Sequence, residues 1–165
     1  MAVIEFAQLL YDSELGTALR ESVVVFPFVE GLHLIGLTLS VGLLLFVDLR
    51  LLGVFLTQIP VANIIMPLRP WLLSGFSLTF ITGVFLFIAA AVKVIVLPVF
   101  LFKLAFIALA GINALWFELR WGKSVTIWGE YSVLPVKVKV AGFASLFLWS
   151  LVIITGRLIP YFGIE

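Results

Sequence analysis

An all-α integral membrane protein, a four-helix bundle forming a single domain over residues 1–165 with an N-terminal interfacial segment, is predicted by three observations. The chain is 64% hydrophobic and 12% charged, whereas soluble domains run at roughly 45–50% and about 25%. Its mean hydropathy is +1.30. The apolar residues gather in four stretches of about 20 residues or more, each long enough to cross a hydrocarbon core of roughly 30 Å. The bilayer is therefore the first expected partner. A formal net charge of +1 offers no grip on nucleic acid. The chain has no cysteine, which excludes disulfides, an iron–sulfur cluster and thiolate metal sites within it. Of two methionines one is the initiator, which argues against a thioether copper site.

Residues 2–21 mix apolar Val3, Ile4, Phe6, Leu9 and Leu10 with Glu5, Asp12, Glu14, Arg20 and Glu21. A secretory signal needs a basic start and a small-residue cleavage site, so an uncleaved segment in the membrane interface is expected; a plain lead-in to the first span is the alternative. The first span covers about 23–55, with Pro27 suited to a helix start. A short connection punctuated by Pro60, Pro67 and Pro70 follows. The second span covers about 71–97, and its Gly75, Thr79 and Gly83 form a ridge that admits another helix closely. Pro98 breaks the chain before the third span, about 99–119. Residues 120–137 have interfacial composition, with Trp121, Trp128 and Tyr131 beside Arg120, Lys123 and Lys137. The fourth span covers about 138–159 and ends at Pro160.

Basic residues favour the cytoplasmic side. The first and third connections hold Arg50, Arg69, Arg120, Lys123, Lys137 and Lys139, and the opposite side holds Arg20, Lys93, Lys103 and Arg157. Both termini are expected outside the cytoplasm.

Ionisable residues in a span cost about 2.5 kcal/mol or more each and point to function. Glu30 and His33, the one histidine, are three residues apart and share a helix face. Gly36 and Ser40 continue that face and leave room for a flat ligand or another backbone. Lys103, five residues past Pro98, and Arg157 in the fourth span reach a similar depth, so three helices converge on one outer site. Asn113 lies about 15 Å deeper along the third span. At the other end Asp48, Arg50, Arg69, Glu118 and Arg120 are expected as a more exposed structural cluster, since charges at helix ends usually snorkel and pair.

Several functions fit the outer site. An imidazole in a bundle suits the axial position of haem iron, and Lys103 and Arg157 suit propionates. In this reading haem b or a related tetrapyrrole sits in a redox or electron-transfer protein, with Glu30 tuning the site or relaying protons. One histidine also suffices for the magnesium of a chlorophyll-type pigment in an accessory subunit of a larger membrane complex. Glu30 can instead pair with Lys103 or Arg157 and pin the helices, leaving His33 inert. A proton or solute transporter is a further alternative, with proton conduction along Glu30, His33 and Asp48, although about 27 Å separates the two carboxylates. A di-iron centre needs Glu-x-x-His on two helices and two more glutamates, which one chain lacks.

The first span, with His33, Gly42 and Arg50, resembles the opening helix of the HemJ-type protoporphyrinogen oxidases and of the related copper-resistance protein D membrane domain. The third, FKLAFIALAGINAL, is similar to the lysine-bearing helix of that family and places its lysine at Lys103. The resemblance implies haem b held by His33 with Lys103 close by and important for function. The wider pattern of Glu30, His33, Gly36, Asp48 to Gly53, Lys103 and Gly156-Arg157 resembles an uncharacterised family of small bacterial four-span membrane proteins. That resemblance implies the bacterial inner membrane, with a homo-oligomer or a complex subunit as the assembled form.

Overall fold

The computed structural model describes residues 2–129 and 134–162; Tyr131 lies outside them. Its helices are α1 (Ala2–Tyr11), α2 (Glu14–Glu21), α3 (Val25–Leu52), α4 (Val61–Val94), α5 (Pro98–Arg120), α6 (Val125–Trp128) and α7 (Val136–Phe162), with one 3-10 turn, Gly122–Ser124, between α5 and α6. Punctuation in the sequence sets several of these limits. Ser13 caps α2 by accepting from the Gly16 N–H at 3.1 Å. Pro98 occupies the first turn of α5, where its missing N–H costs nothing. Gly53 ends α3 in the left-handed region, φ 78°, and its N–H returns to the Arg50 carbonyl.

Helices α3, α4, α5 and α7 are each long and apolar enough to cross a membrane. Their outward side chains are large and apolar: Phe80 is 52% exposed, Phe143 60% and Ile112 65%. A continuous outer surface of that kind is stable against lipid and not against water. This is a multi-pass membrane protein with a helical bundle fold.

Helix α3 is the centre of the arrangement, antiparallel to α4 on one side and to α7 on the other, while α5 packs on α7. The tightest seam is α3 against α4. A Cβ added at Gly36 would fall 2.7 Å from Thr79 Oγ1 and 2.9 Å from the Thr79 backbone nitrogen. One added at Gly75 would fall 2.8 Å from the Ser40 nitrogen. Small residues on both helices thus let the backbones touch and fix the register. The expected space beside Gly36 and Ser40 is filled by α4. Ser40, fully buried, turns its hydroxyl back to the Gly36 carbonyl at 2.8 Å.

Call the start of α3 the near end and its finish the far end. The far end is closed by a floor of Val47, Leu51, Val61, Ala62, Ile64, Ile65, Val125, Trp128, Leu134 and Val138. The Trp128 ring is 3% exposed and stands edge-on to Phe117 and Trp121 at 6.2 Å from each; its Nε1 donates to the Trp121 carbonyl at 2.7 Å. Trp128, expected at the membrane surface, is therefore a core residue. The Val61 N–H donates to the Gly129 carbonyl at 3.0 Å and ties the two far-end connections together.

Helix α4 begins at Val61, and Pro67 and Pro70 lie inside it, where the sequence suggests a loop. Each proline removes a helical hydrogen bond, at a cost of about 3 kcal/mol in a regular helix. Burial of Val61, Ala62, Ile64 and Ile65 in the floor offsets this, since a fully buried valine or isoleucine contributes about 1.5–3 kcal/mol. At the near end α1 and α2 pack against α4, with Leu19 meeting Val29 and Ala89. Arg20 ties α2 to α1, its guanidinium 3.7 Å from the Tyr11 ring centroid and donating to the Tyr11 carbonyl at 2.8 Å.

Gly36→Val forces the α3–α4 seam apart and is expected to destabilise the protein by about 1–3 kcal/mol, the usual cost of overpacking. Gly31→Ala, where an added Cβ meets nothing within 4 Å, is expected to be neutral or to stabilise by up to about 1 kcal/mol. Thermal unfolding of both variants in detergent, followed by helical circular dichroism, checks the contrast; equal effects would contradict the seam.

Candidate functional site

The imidazole of His33 projects from α3 into the seam with α4. Its Nδ1 lies 3.0 Å from Thr82 Oγ1, and a Cβ added at Gly83 would fall 3.2 Å from Cε1. Two neighbouring α4 residues therefore form the seat: threonine holds the ring by one nitrogen, and glycine leaves room for its edge. The register set by Gly36 and Gly75 brings them to this depth.

The threonine bears on the tautomer. Its hydroxyl lies 2.6 Å from the Leu78 carbonyl of its own helix. With the hydroxyl hydrogen placed on that carbonyl, the oxygen is available to Nδ1 as an acceptor, an arrangement that matches the tautomer with the proton on Nδ1 and a lone pair on Nε2. A ring held in this way by one nitrogen is prepared to ligate through the other.

Lys103 approaches from α5. Its side chain runs along Gly156 of α7, where an added Cβ would fall 3.4 Å from Nζ. No carboxylate lies within ion-pair distance of it among the described residues. Helices α3 and α4 meet at the ring, through His33, Thr82 and Gly83, while Lys103 brings α5 against α7 at Gly156. Phe87 and Phe100 stack nearer the end of the bundle, centroids 5.5 Å apart. Phe76 and Trp149 form a second aromatic contact toward the middle, at 4.9 Å.

Two expected members stand apart. Glu30 is exposed and makes no ion pair among the described residues. Arg157 is also exposed, and its guanidinium lies 5.7 Å from the Tyr161 ring centroid on its own helix. The pinning of helices by Glu30 and a cation is therefore not formed. Gly36 and Ser40 belong to the helix seam. Asn113 ties α5 to α7, its Nδ2 donating to the Ala141 carbonyl at 3.0 Å.

The far-end charges do not form one cluster. Arg69 and Glu118 pair across α4 and α5. Arg50 is 7% exposed and serves the loop after α3, its Nε donating to the Ile59 carbonyl at 2.8 Å and Nη2 to that of Thr57 at 3.4 Å. That loop curls back because Gly53 turns it, and its carbonyls take the place of an anionic partner. Asp48 is 3% exposed, beside the Ser145 hydroxyl of α7. Arg120 is exposed and unpaired among the described residues. The expectation of an exposed group thus fails for Asp48 and Arg50.

Thr82 is the functional neighbour that sequence reasoning passes over. Hydroxyls in apolar helices usually bond their own backbone, as this one does, and only the fold shows that its oxygen also meets an imidazole.

A model of a family of unknown function, DUF6644, matches residues 5–162. The chain belongs to that family. Comparison with curated proteins and with solved structures gives no match, the HemJ-type oxidases included. The DUF6644 match spans the whole bundle, so the seat of His33, the opposing Lys103 and both ends of the bundle fall within the family's extent.

Because the chain has one histidine, the tautomer can be read directly. Nitrogen-15 NMR of labelled protein is expected to show a protonated Nδ1 and an unprotonated Nε2. Thr82→Val, which keeps the shape and removes the acceptor, is expected to shift the ring signals and to cost about 1–3 kcal/mol of stability. A wild-type spectrum with the proton on Nε2 would reverse the assignment.

Proposed function

We propose that this DUF6644 protein binds haem b, or a related tetrapyrrole, through His33 near the outer side of the bacterial inner membrane, in a redox or electron-transfer role. The observation that carries the reading is the seat of His33, whose Nδ1 lies 3.0 Å from Thr82 Oγ1; with Thr82 as the acceptor, Nε2 is left to serve as an axial ligand. The donor set fits. A half-buried ammonium without an anionic partner among the described residues, Lys103, matches a propionate carboxylate. Phe87 of α4 and Phe100 of α5 stack at 5.5 Å, an aromatic pair against which a flat apolar group would lie. Bound there, haem would supply one-electron chemistry. Thr82 orients the imidazole, Gly83 admits it, and Lys103 balances charge. The chain has one histidine, so the iron would be five-coordinate or take its second ligand from a neighbouring chain. The basic far end is assigned to the cytoplasm.

A second reading, an accessory subunit in which His33 only packs, is favoured by a different observation: two grooves among the described residues, one between α3 and α7 and one along Leu34 to Leu39 of α3, are lined by neither His33 nor Lys103. One experiment separates the two. Protein purified from cells supplied with haem is expected to show a Soret band that His33→Ala abolishes while helical circular dichroism is retained. Thr82→Val is expected to weaken haem retention by about 10- to 100-fold, the usual effect of losing a group that orients a ligating histidine. The absence of any pigment or haem band, with His33→Ala altering stability alone, would overturn the haem reading in favour of the accessory one.

A further inference from the structure

A groove of about 340 Å³ runs between α3 and α7, lined by Leu37, Gly42, Asp48, Leu146, Trp149 and Ile153 among others. It extends along α3 for about 17 Å, at 1.5 Å per residue. Its volume suits a small molecule and is too small for a helix.

Two independent features distinguish it from an ordinary crevice filled by lipid. The first is Gly42. Glycine is the least favoured helix residue after proline; among exposed positions of α3 are large side chains such as Leu34 and Ile35, 56% and 60% exposed, and Gly42 shares its open Cβ position on this helix with Gly31, which lies outside the groove. A Cβ added at Gly42 would meet nothing within 4 Å, so no part of the described chain requires a glycine there. The second is Asp48, at the far-end foot of the groove. It is 97% buried, being 3% exposed, and no cation pairs with it among the described residues. The neighbouring Arg50 is committed to the Thr57 and Ile59 carbonyls. A carboxyl group in an apolar setting demands a hydrogen-bond donor, and the side-chain donor beside Asp48 is Ser145 of α7.

We propose that this groove is a binding site for a phenol dissolved in the lipid, such as a quinol or an alkylphenol. The ring lies in the space beside Gly42 and against Trp149, the hydroxyl donates to the Asp48 carboxyl, and the alkyl substituent follows the groove toward Leu37. The wall chemistry selects this class. A cationic ligand would shed its hydration along walls that are apolar as far as Asp48, and a plain hydrocarbon would leave the carboxyl without its second donor. A phenol carries an apolar body and one neutral donor, and it reaches the groove from the bilayer. The site is separate from His33.

The test uses the full chain in phosphatidylcholine nanodiscs and a 2-bromo-4-alkylphenol, whose bromine quenches indole fluorescence on contact. Saturable quenching is expected, absent in Trp149→Phe, which isolates the contribution of Trp149 from the other four tryptophans. Gly42→Leu fills the groove with the chain's own atoms and is expected to weaken binding at least tenfold with the helical spectrum intact. Asp48→Ala is expected to weaken it by a similar factor, and Gly31→Ala, outside the groove, to leave it unchanged. Equal quenching by the matching bromoalkylbenzene without the hydroxyl would overturn the proposal, as would binding that survives Gly42→Leu. Cross-linking that shows a second copy covering the groove and excluding the probe would overturn it too.

Discussion

The close approach of α3 and α4 at Gly36 and Gly75 is the constraint on which the rest of the bundle depends. Lipid offers apolar side chains as good an environment as another helix does, so helices in a membrane associate through packing and hydrogen bonds. Backbones in contact maximise both. Once Thr79 rests on Gly36 and Ser40 on Gly75, α4 has no freedom to slide, and Thr82 and Gly83 come level with His33. A displacement of one helical turn, about 5.4 Å, would leave the imidazole against a different pair of residues with its Nδ1 unbonded. Local chemistry at His33 is therefore a product of steric fit one and two turns away.

Several polar groups in the bundle are met by backbone or by a single neighbour, and among the described residues the ion pairing is confined to Arg69 and Glu118. Arg50 takes loop carbonyls, Asn113 a carbonyl of α7, and Ser40 and Thr82 carbonyls of their own helices. This suits a low-dielectric setting, where an unmatched charge is costly and a carbonyl is always available. Against that pattern, Lys103 and Asp48 stand out as groups whose demands are only partly met within the described chain. They belong to opposite ends of the bundle and to different seams, one between α5 and α7 and the other between α3 and α7.

The helical bundle is legible in the sequence because hydropathy alone determines it: four apolar runs of sufficient length admit few other folds. The ridge of Gly75, Thr79 and Gly83 likewise announces a close helix contact. What is not legible is which partner each small residue receives. Gly36 and Ser40 read equally as space for a ligand or for a backbone, and only the α4 register decides. Arg157 shares depth with His33 but lies over Tyr161, because depth along a helix does not fix the direction of a long side chain. Pro67 and Pro70 read as a loop, yet burial of the preceding turn in the far-end floor holds α4 together through them. Trp128 has the composition of a surface anchor and the position of a plug, a distinction made by tertiary packing alone.

The bond from the Val61 N–H to the Gly129 carbonyl joins chain segments that a ribosome delivers far apart in time. The hairpin of α3 and α4 can enter the bilayer and close along its glycines while α5 is still unmade, but its far end stays without a floor. The amide of Val61 must then remain hydrated until α5 has crossed and the segment around Trp128 folds beneath it. The far-end floor therefore draws on both connections, and neither the hairpin of α3 and α4 nor the later segment supplies it alone.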